Sequence, residues 1–212
     1  MSESNGFINL KIFQKQHLIG KGSFGKVYKV MNKRTGAFFA AKISLVELSE
    51  ENQSETKNLK REINIISELN HPSILRFIGY SPINFKQKPK PVIVTELSSN
   101  GSLDTILDLE RRSLSPKLWD DTKKLINIYG IASAMSYLHS HNIIHRDLKP
   151  ANILEDDYLF PKIADFGLSK IYHQNTSSKT SQSLASIKGT PAFMAPECIE
   201  KNEYTKAGDV FS

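Results

Sequence analysis

The chain has 212 residues, and 28 Lys+Arg against 22 Asp+Glu give a formal charge of +6 with histidine neutral. With 39% hydrophobic and 24% charged residues, the composition fits a soluble globular protein and excludes whole-chain disorder and collagen-like or fibrous order. No stretch approaches the roughly 18 consecutive apolar residues of a membrane helix, and the opening MSESNGFINL lacks the basic, apolar, small-residue order of a secretory signal; the expectation is a cytoplasmic protein with no membrane partner. The single cysteine, Cys198, has no partner for an internal disulfide, which agrees with a reducing compartment. Lysines and arginines are spread among acidic residues, so the excess charge reads as a solvated surface and no nucleic acid is expected. Two basic stretches stand out: Lys86, Lys88 and Lys90 beside Pro89 and Pro91, which read as an exposed turn, and residues 169–196, which hold Lys170, Lys179 and Lys188 and no acidic residue.

Residues 1–12 read as a short polar extension. From Phe13 to Leu45 the pattern is strand, with HLIG, a glycine turn, KVYKVM, the polar turn NKRTG and the apolar run AFFAAKISL. The glycines Gly20, Gly22 and Gly25 are a weak signal alone. Context removes two nucleotide folds, since a strand rather than a helix follows them and Lys26 precedes Val27 rather than Ser or Thr. A glycine hairpin between two strands remains, whose backbone amides can approach phosphate oxygens. Lys42 sits inside an apolar strand with Ala40 on its face, and a cation so placed needs an anionic partner. Glu62 is the candidate, at the edge of a helical stripe of Leu59, Ile63 and Ile66 that ends at His71-Pro72.

SILRFIGY and PVIVTEL are again strand-like and complete a small sheet with one helix. After SSNGS, Asp121 to His139 reads as a helix with Leu125, Ile128, Ala132, Met135 and Leu138 on one face. A β-rich lobe joined to a helix-rich lobe implies a cleft, where ligands usually bind. In the second part, IIHRDLKPAN gathers Asp147, Lys149 and Asn152: a carboxylate to take a proton from a hydroxyl, an ammonium to neutralise phosphate, and an amide oxygen for Mg²⁺. Asp165, in ADFG just after the strand-like KIA, adds a second hard oxygen donor, which suits Mg²⁺ rather than zinc. A Ser/Thr-rich stretch from Thr176 to Ser186 reads as a loop.

These residues resemble the eukaryotic protein kinase family, from about Phe13 to the last residue: the glycine-rich loop, Ala40-Ala41-Lys42, Glu62, HRDLKPAN, DFG and Ala195-Pro196-Glu197 follow the family's order with compatible gaps. The resemblance implies an α+β, two-lobed fold: an N-lobe over 13–94, a hinge over 95–100 and a helical C-lobe over 101–212. It implies ATP and Mg²⁺, with Gly20, Gly22 and Gly25 over the phosphates. Ile19, Val27, Ala40 and Leu154 would clamp adenine, Thr95 stand as gatekeeper and the hinge Glu96-Leu97-Ser98 bond the base. Lys42, paired with Glu62, would grip the α and β phosphates, Asp147 act as base beside Lys149, and Asn152 and Asp165 hold the metal. Arg146 implies control by a phosphate, placed by an upstream kinase on Thr176, Ser177, Ser178, Thr180, Ser181, Ser183 or Ser186. LKPAN and Thr190 resemble Ser/Thr kinases, whereas VTEL, NGSL and RFIGY resemble the tyrosine kinase-like branch, so a protein substrate with a Ser or Thr acceptor is expected. The sequence stops at Asp209-Val210-Phe211-Ser212, where the family begins the central helix of its large lobe, so the C-lobe is expected to be incomplete and to expose apolar surface. Asp209 matches the aspartate that supports the catalytic loop. The alternative to an active kinase is an ATP-binding scaffold that turns over weakly or not at all.

Overall fold

A computed structural model describes residues 6–22, 25–48, 53–171 and 189–212. The chain divides into two compact units, one taking the residues up to Asn70 together with Leu75–Ser99, the other His71–Ile74 and Asn100–Ser212. The expected loop over Thr176–Ser186 lies outside the described residues.

In the first unit an antiparallel sheet runs in the order β1-β2-β3-β5-β4, from β1 (Phe13–Lys21), β2 (Gly25–Asn32), β3 (Phe38–Ser44), β4 (Phe77–Ser81) and β5 (Val92–Glu96). Strand alternation divides its side chains. The pairs Val30↔Phe39, Tyr28↔Ala41 and Ala41↔Val94 lie on one face, whose core gathers Leu10, Phe13, Val30, Ala41, Val92 and Val94. The pairs Val27↔Lys42, Ala40↔Thr95 and Lys42↔Ile93 lie on the other. Before β1, Leu10 is buried in the core and Phe7 bridges to Tyr80, so residues 7–10 pack on the sheet. Helix α1 (Gln53–Glu68) buries Ile63, Ile65 and Ile66, close to the stripe read from sequence. Of SILRFIGY only the part from Phe77 is strand; Ile74 instead bridges to Ile163 in the second unit.

The second unit holds α2 (Leu103–Arg111), α3 (Asp121–Ser140), β6 (Ile143–Ile144), β7 (Ile153–Glu155), β8 (Pro161–Ile163), β9 (Lys170–Ile171), α4 (Pro196–Glu200) and α5 (Lys206–Phe211). Asp120 caps α3 by accepting the Lys123 amide at 2.7 Å. The buried face of this helix corrects the sequence reading. Asn127, Gly130, Ala134, Met135 and Leu138 are buried, whereas Leu125 and Ile128 are 67% and 64% exposed and Ala132 is exposed too. The helix is apolar on more than one side, so periodicity alone does not fix the side that packs. Gly130 decides it: a Cβ there would lie 2.7 Å from Pro161 Cγ and 2.9 Å from Ser73 Oγ, so the helix backbone approaches β8 closely at that turn. Helix α2 had no counterpart in the sequence reading. Ile106 of α2 is buried with Trp119 and Leu159, and Trp119 Nε1 donates to Glu110 Oε2 at 2.9 Å. Leu125, Ile128, Tyr129, Val210 and Phe211 are exposed apolar residues of this unit. No helix among the described residues is long and apolar enough to cross a membrane.

Candidate active site

In the first unit, four residues expected to meet the nucleotide share one sheet face: Val27, Ala40, Lys42 and Thr95. Gly20 pairs with Val27 across the β1–β2 ladder. Gly25 has no room for a side chain, because a Cβ there would stand 2.5 Å from Ile43 O. Gly22 donates its amide to Gly25 O at 3.0 Å, and Ile19 is 44% exposed. Lys42 Nζ donates to Glu62 Oε1 at 2.9 Å, with the two side chains 25% and 11% exposed. The sequence-derived pair is therefore formed, and it holds the ammonium at a fixed point of the sheet rather than letting it extend into water. At the end of β5, Glu96 accepts the Arg76 amide through Oε1 at 2.9 Å and its own amide donates to Arg76 O at 3.0 Å. Thr95 Oγ1 donates to Glu96 O at 3.1 Å, while Ser98 Oγ is buried without a partner among the described residues.

In the second unit, the β7–β8 hairpin explains why residues far apart in sequence meet. Ile153 pairs with Ile163, so Asn152 and Ala164, each one step outside the ladder, are neighbours, and the Ala164 amide donates to Asn152 O at 2.9 Å. Asp165 follows immediately, at φ 61° and ψ 71°. This left-handed conformation, unusual for a non-glycine residue, is sustained only where the surroundings enforce it. Leu154, on the opposite side of β7 from its neighbours, bridges to Ser102.

The loop between β6 and β7 is fixed from beneath. Buried Asp209 accepts the His145 amide at 2.8 Å through Oδ2 and the Arg146 amide at 2.8 Å through Oδ1, and its Oδ2 lies 3.0 Å from His139 Nε2. The two amides so captured flank the turn at which Arg146 takes φ 72°. His145 is fully buried; its Nδ1 accepts the Asp147 amide at 3.4 Å, which leaves Nε2 to donate to Ala164 O at 3.1 Å. This imidazole thus ties the loop to the residue before Asp165.

On that platform the polar groups converge on Asp147. Its Oδ2 accepts from Asn152 Nδ2 at 2.9 Å and lies 2.9 Å from Lys149 Nζ. Its Oδ1 accepts from Thr190 Oγ1 at 2.7 Å, and the same hydroxyl accepts from Lys149 Nζ at 2.6 Å. The sequence reading used Thr190 only as a mark of substrate class. Its place in the site, 43 residues from Asp147, depends on tertiary structure, with Gly189 at φ 124° and a Cβ there 2.8 Å from Arg146 O.

Asn152 and Asp165 fit a magnesium ion. Asn152 Nδ2 spends its hydrogens on Asp147 O at 2.7 Å and Asp147 Oδ2 at 2.9 Å, which leaves the amide oxygen as the free hard donor. The described residues contain no cluster of three or more His, Cys, Asp or Glu that could hold a metal. Mg²⁺ keeps several waters and takes one or two protein ligands plus substrate phosphates, so two oxygen donors are a sufficient protein contribution.

The sequence model of the family described as "Protein kinase domain" matches residues 13–212. Among curated proteins, the chain is 36% identical over 202 residues to a probable L-type lectin-domain containing receptor kinase V.3 of Arabidopsis thaliana, covering 93% of this chain and 28% of that one. It is 35% identical over 195 residues to serine/threonine-protein kinase 36 of Pongo abelii, covering 92% and 14%. It is 37% identical over 206 residues to myosin light chain kinase A of Dictyostelium discoideum, covering 95% and 63%. The chain belongs to the eukaryotic protein kinase family, and membership implies use of ATP. It spans between 14% and 63% of the length of these relatives.

Proposed function

We propose that this chain is a protein serine/threonine kinase that transfers the γ-phosphoryl of Mg·ATP to a protein hydroxyl in the cytoplasm. The observation that carries the reading is the Asp147 carboxylate, held from three sides by Asn152, Lys149 and Thr190. So positioned, it accepts the proton of an attacking Ser or Thr hydroxyl as the new O–P bond forms and the bond to the ADP oxygen breaks. Lys149 neutralises charge on the transferred group, and Lys42, steered by Glu62, neutralises the α and β phosphates. The backbone at Gly20, Gly22 and Gly25 lies along the phosphates. Adenine takes Ile19, Val27, Ala40 and Leu154 as apolar neighbours and the segment Thr95, Glu96 and Ser98 as its polar edge. Asn152 and Asp165 hold Mg²⁺, which when bound offsets phosphate charge. Catalysis of this kind consists mainly of positioning and charge neutralisation.

The test is γ-phosphate transfer from ATP to peptides that differ only in a Ser, Thr or Tyr acceptor. Label on Ser or Thr, dependent on Mg²⁺, is the expected result; ATP binding with no transfer to any peptide would replace the reading by the scaffold alternative.

Control by phosphorylation belongs to the same proposal. Arg146 precedes the base, its Nε is buried with no partner among the described residues, and its guanidinium carbon stands 4.0 Å from the Tyr204 ring centroid. An arginine held there is suited to pair with a phosphate, placed by an upstream kinase on a hydroxyl between Thr176 and Ser186, outside the described residues. Phosphatase treatment of ATP-incubated protein is expected to lower activity several-fold; unchanged activity, with the phosphate removed by mass spectrometry, ends this part of the proposal.

A further inference from the structure

We propose that the first unit carries a second ligand site, separate from the nucleotide residues, for a compact molecule bearing several phosphomonoesters. The site is a cavity of about 340 Å³ lined by Lys15, Lys26, Lys86, Lys88 and Lys90 together with apolar residues that include Tyr28 and Phe85, and no carboxylate among the described residues lines it.

The sheet register separates it from the nucleotide face. Lys26 pairs with Ile43 and Tyr28 with Ala41, whereas Val27 pairs with Lys42. Alternation therefore puts the cavity residues Lys26, Tyr28 and Ile43 on the side opposite Val27, Ala40 and Lys42. No residue assigned to ATP lines the cavity.

The lysines are held in place by the turn that bears them. Asn84, 8% exposed, accepts the Lys86 and Lys88 amides through Oδ1 at 2.8 and 3.2 Å, and its own amide donates to Lys88 O at 2.9 Å. The Gln87 amide closes on Asn84 O at 2.9 Å, and Gln87 takes φ 58°. The turn thus fixes the backbone from which Lys86 and Lys88 project, so a ligand need not order it.

The charges call for an anion. Lys90 is partly answered by Leu45 O at 3.1 Å and by the Glu47 carboxylate at 3.8 Å. Lys15 Nζ sits 4.0 Å from the Tyr28 ring centroid, a contact that leaves its charge in place. Lys26, Lys86 and Lys88 have no ion-pair partner among the described residues. Like charges gathered round one hollow repel each other, and binding a polyanion relieves that repulsion. A single carboxylate would leave most of the charge unanswered, whereas several phosphate dianions match it, and lysine serves phosphate as a point charge. The half-open hollow is of a size for a small molecule and not for a nucleic-acid strand, which needs an extended basic track. Two sources offer this chemistry, a soluble inositol polyphosphate and the headgroup of a phosphoinositide lipid.

The test uses the full chain and reads binding, so its outcome is independent of phosphoryl transfer. Inositol hexakisphosphate is titrated calorimetrically at 50 and 200 mM salt. Sedimentation with phosphatidylcholine vesicles, with and without phosphatidylinositol 4,5-bisphosphate, separates the sources. The variant Lys26→Gln/Lys86→Gln/Lys88→Gln is compared with Lys11→Gln/Lys117→Gln/Lys201→Gln, which removes equal charge elsewhere on the surface. Saturable binding of the soluble probe or of the lipid vesicles, at least tenfold weaker in the first variant and unchanged in the second, is expected, and the arm that binds names the source. Lys88→Glu, a single exposed change, should weaken binding in the same direction. Equal loss in both triple variants, undiminished binding by the first, or failure of the wild-type chain to bind either probe overturns the proposal.

Discussion

Asp147→Asn should lower single-turnover transfer of the γ-phosphoryl by about 10²- to 10⁴-fold, the range a positioned general base contributes, while leaving ATP affinity within about threefold. The two expectations come from different parts of the chain. The amide that replaces the carboxylate still accepts from Thr190 Oγ1, which now bonds Asp147 Oδ1 at 2.7 Å, so the loop keeps much of its geometry. What is lost is the oxygen that can take a proton, the acceptor of the Asn152 Nδ2 bond at 2.9 Å, and the negative charge 2.9 Å from Lys149 Nζ. Apart from Leu154, the residues assigned to the phosphates and adenine, Lys42 with its 2.9 Å bond to Glu62 among them, lie in the first unit and are untouched. Thermal melting of the variant shows whether the loop has held. Transfer within tenfold of wild type, in a variant that melts normally, would mean that Asp147 is not the base.

Part of this site is legible in the sequence because local geometry dictates it. Asp147, Lys149 and Asn152 fall within one loop, and a hairpin as short as β7–β8 has to return Asp165 beside Asn152 once Ile153 pairs with Ile163. Lys42 could be read because a lysine inside an apolar strand, with Ala40 on its own face, demands an anion, and Glu62 stood on the edge of the helix's apolar stripe. The rest depends on contacts between distant segments. Nothing near Thr190 says that its hydroxyl meets a carboxylate 43 positions earlier. Nothing in the spacing of α3 says which apolar side packs, because Leu125 and Ile128 repeat at helical intervals as well as Ala134 and Leu138 do. The informative residue there is Gly130, and its meaning emerges only when Pro161 and Ser73 are seen against it. Lys26 joins Lys86 and Lys88 for a similar reason: the sequence shows a basic turn, and the sheet register brings a strand lysine to it.

Glu155→Leu should raise stability by roughly 3 kcal/mol at pH 8 and flatten the stability profile between about pH 4.5 and 7. Glu155 ends β7 with its side chain fully buried, and neither carboxyl oxygen has a hydrogen-bond partner among the described residues. Nearby Asn127 has spent its amide hydrogens on Lys123 O at 3.2 Å and Leu159 O at 3.1 Å, leaving Oδ1 unpartnered as well. Burial pushes the Glu155 carboxyl from 4.5 up to about 7; Asp156 adds to that push, while Asn127 and the Lys123 charge oppose it. Below pH 4.5 both folded and unfolded chains keep the proton. Between 4.5 and 7 only the folded chain keeps it, so stability falls as pH rises, and above 7 the loss is complete. The gap between 4.5 and about 7 corresponds to roughly 3 kcal/mol. Leucine removes the buried charge at similar volume, and its amide still donates to Gly101 O, as that of Glu155 does at 2.9 Å. For a domain of this size the gain appears as a melting point higher by about 6–12 °C at pH 8, shrinking toward pH 4.5. Glu155→Gln should gain less, because it removes the charge but keeps a polar group in an apolar setting. A Leu variant that melts below wild type at pH 8, or that loses stability from pH 4.5 to 7 as steeply as wild type, would place the carboxylate in a solvated or paired environment instead.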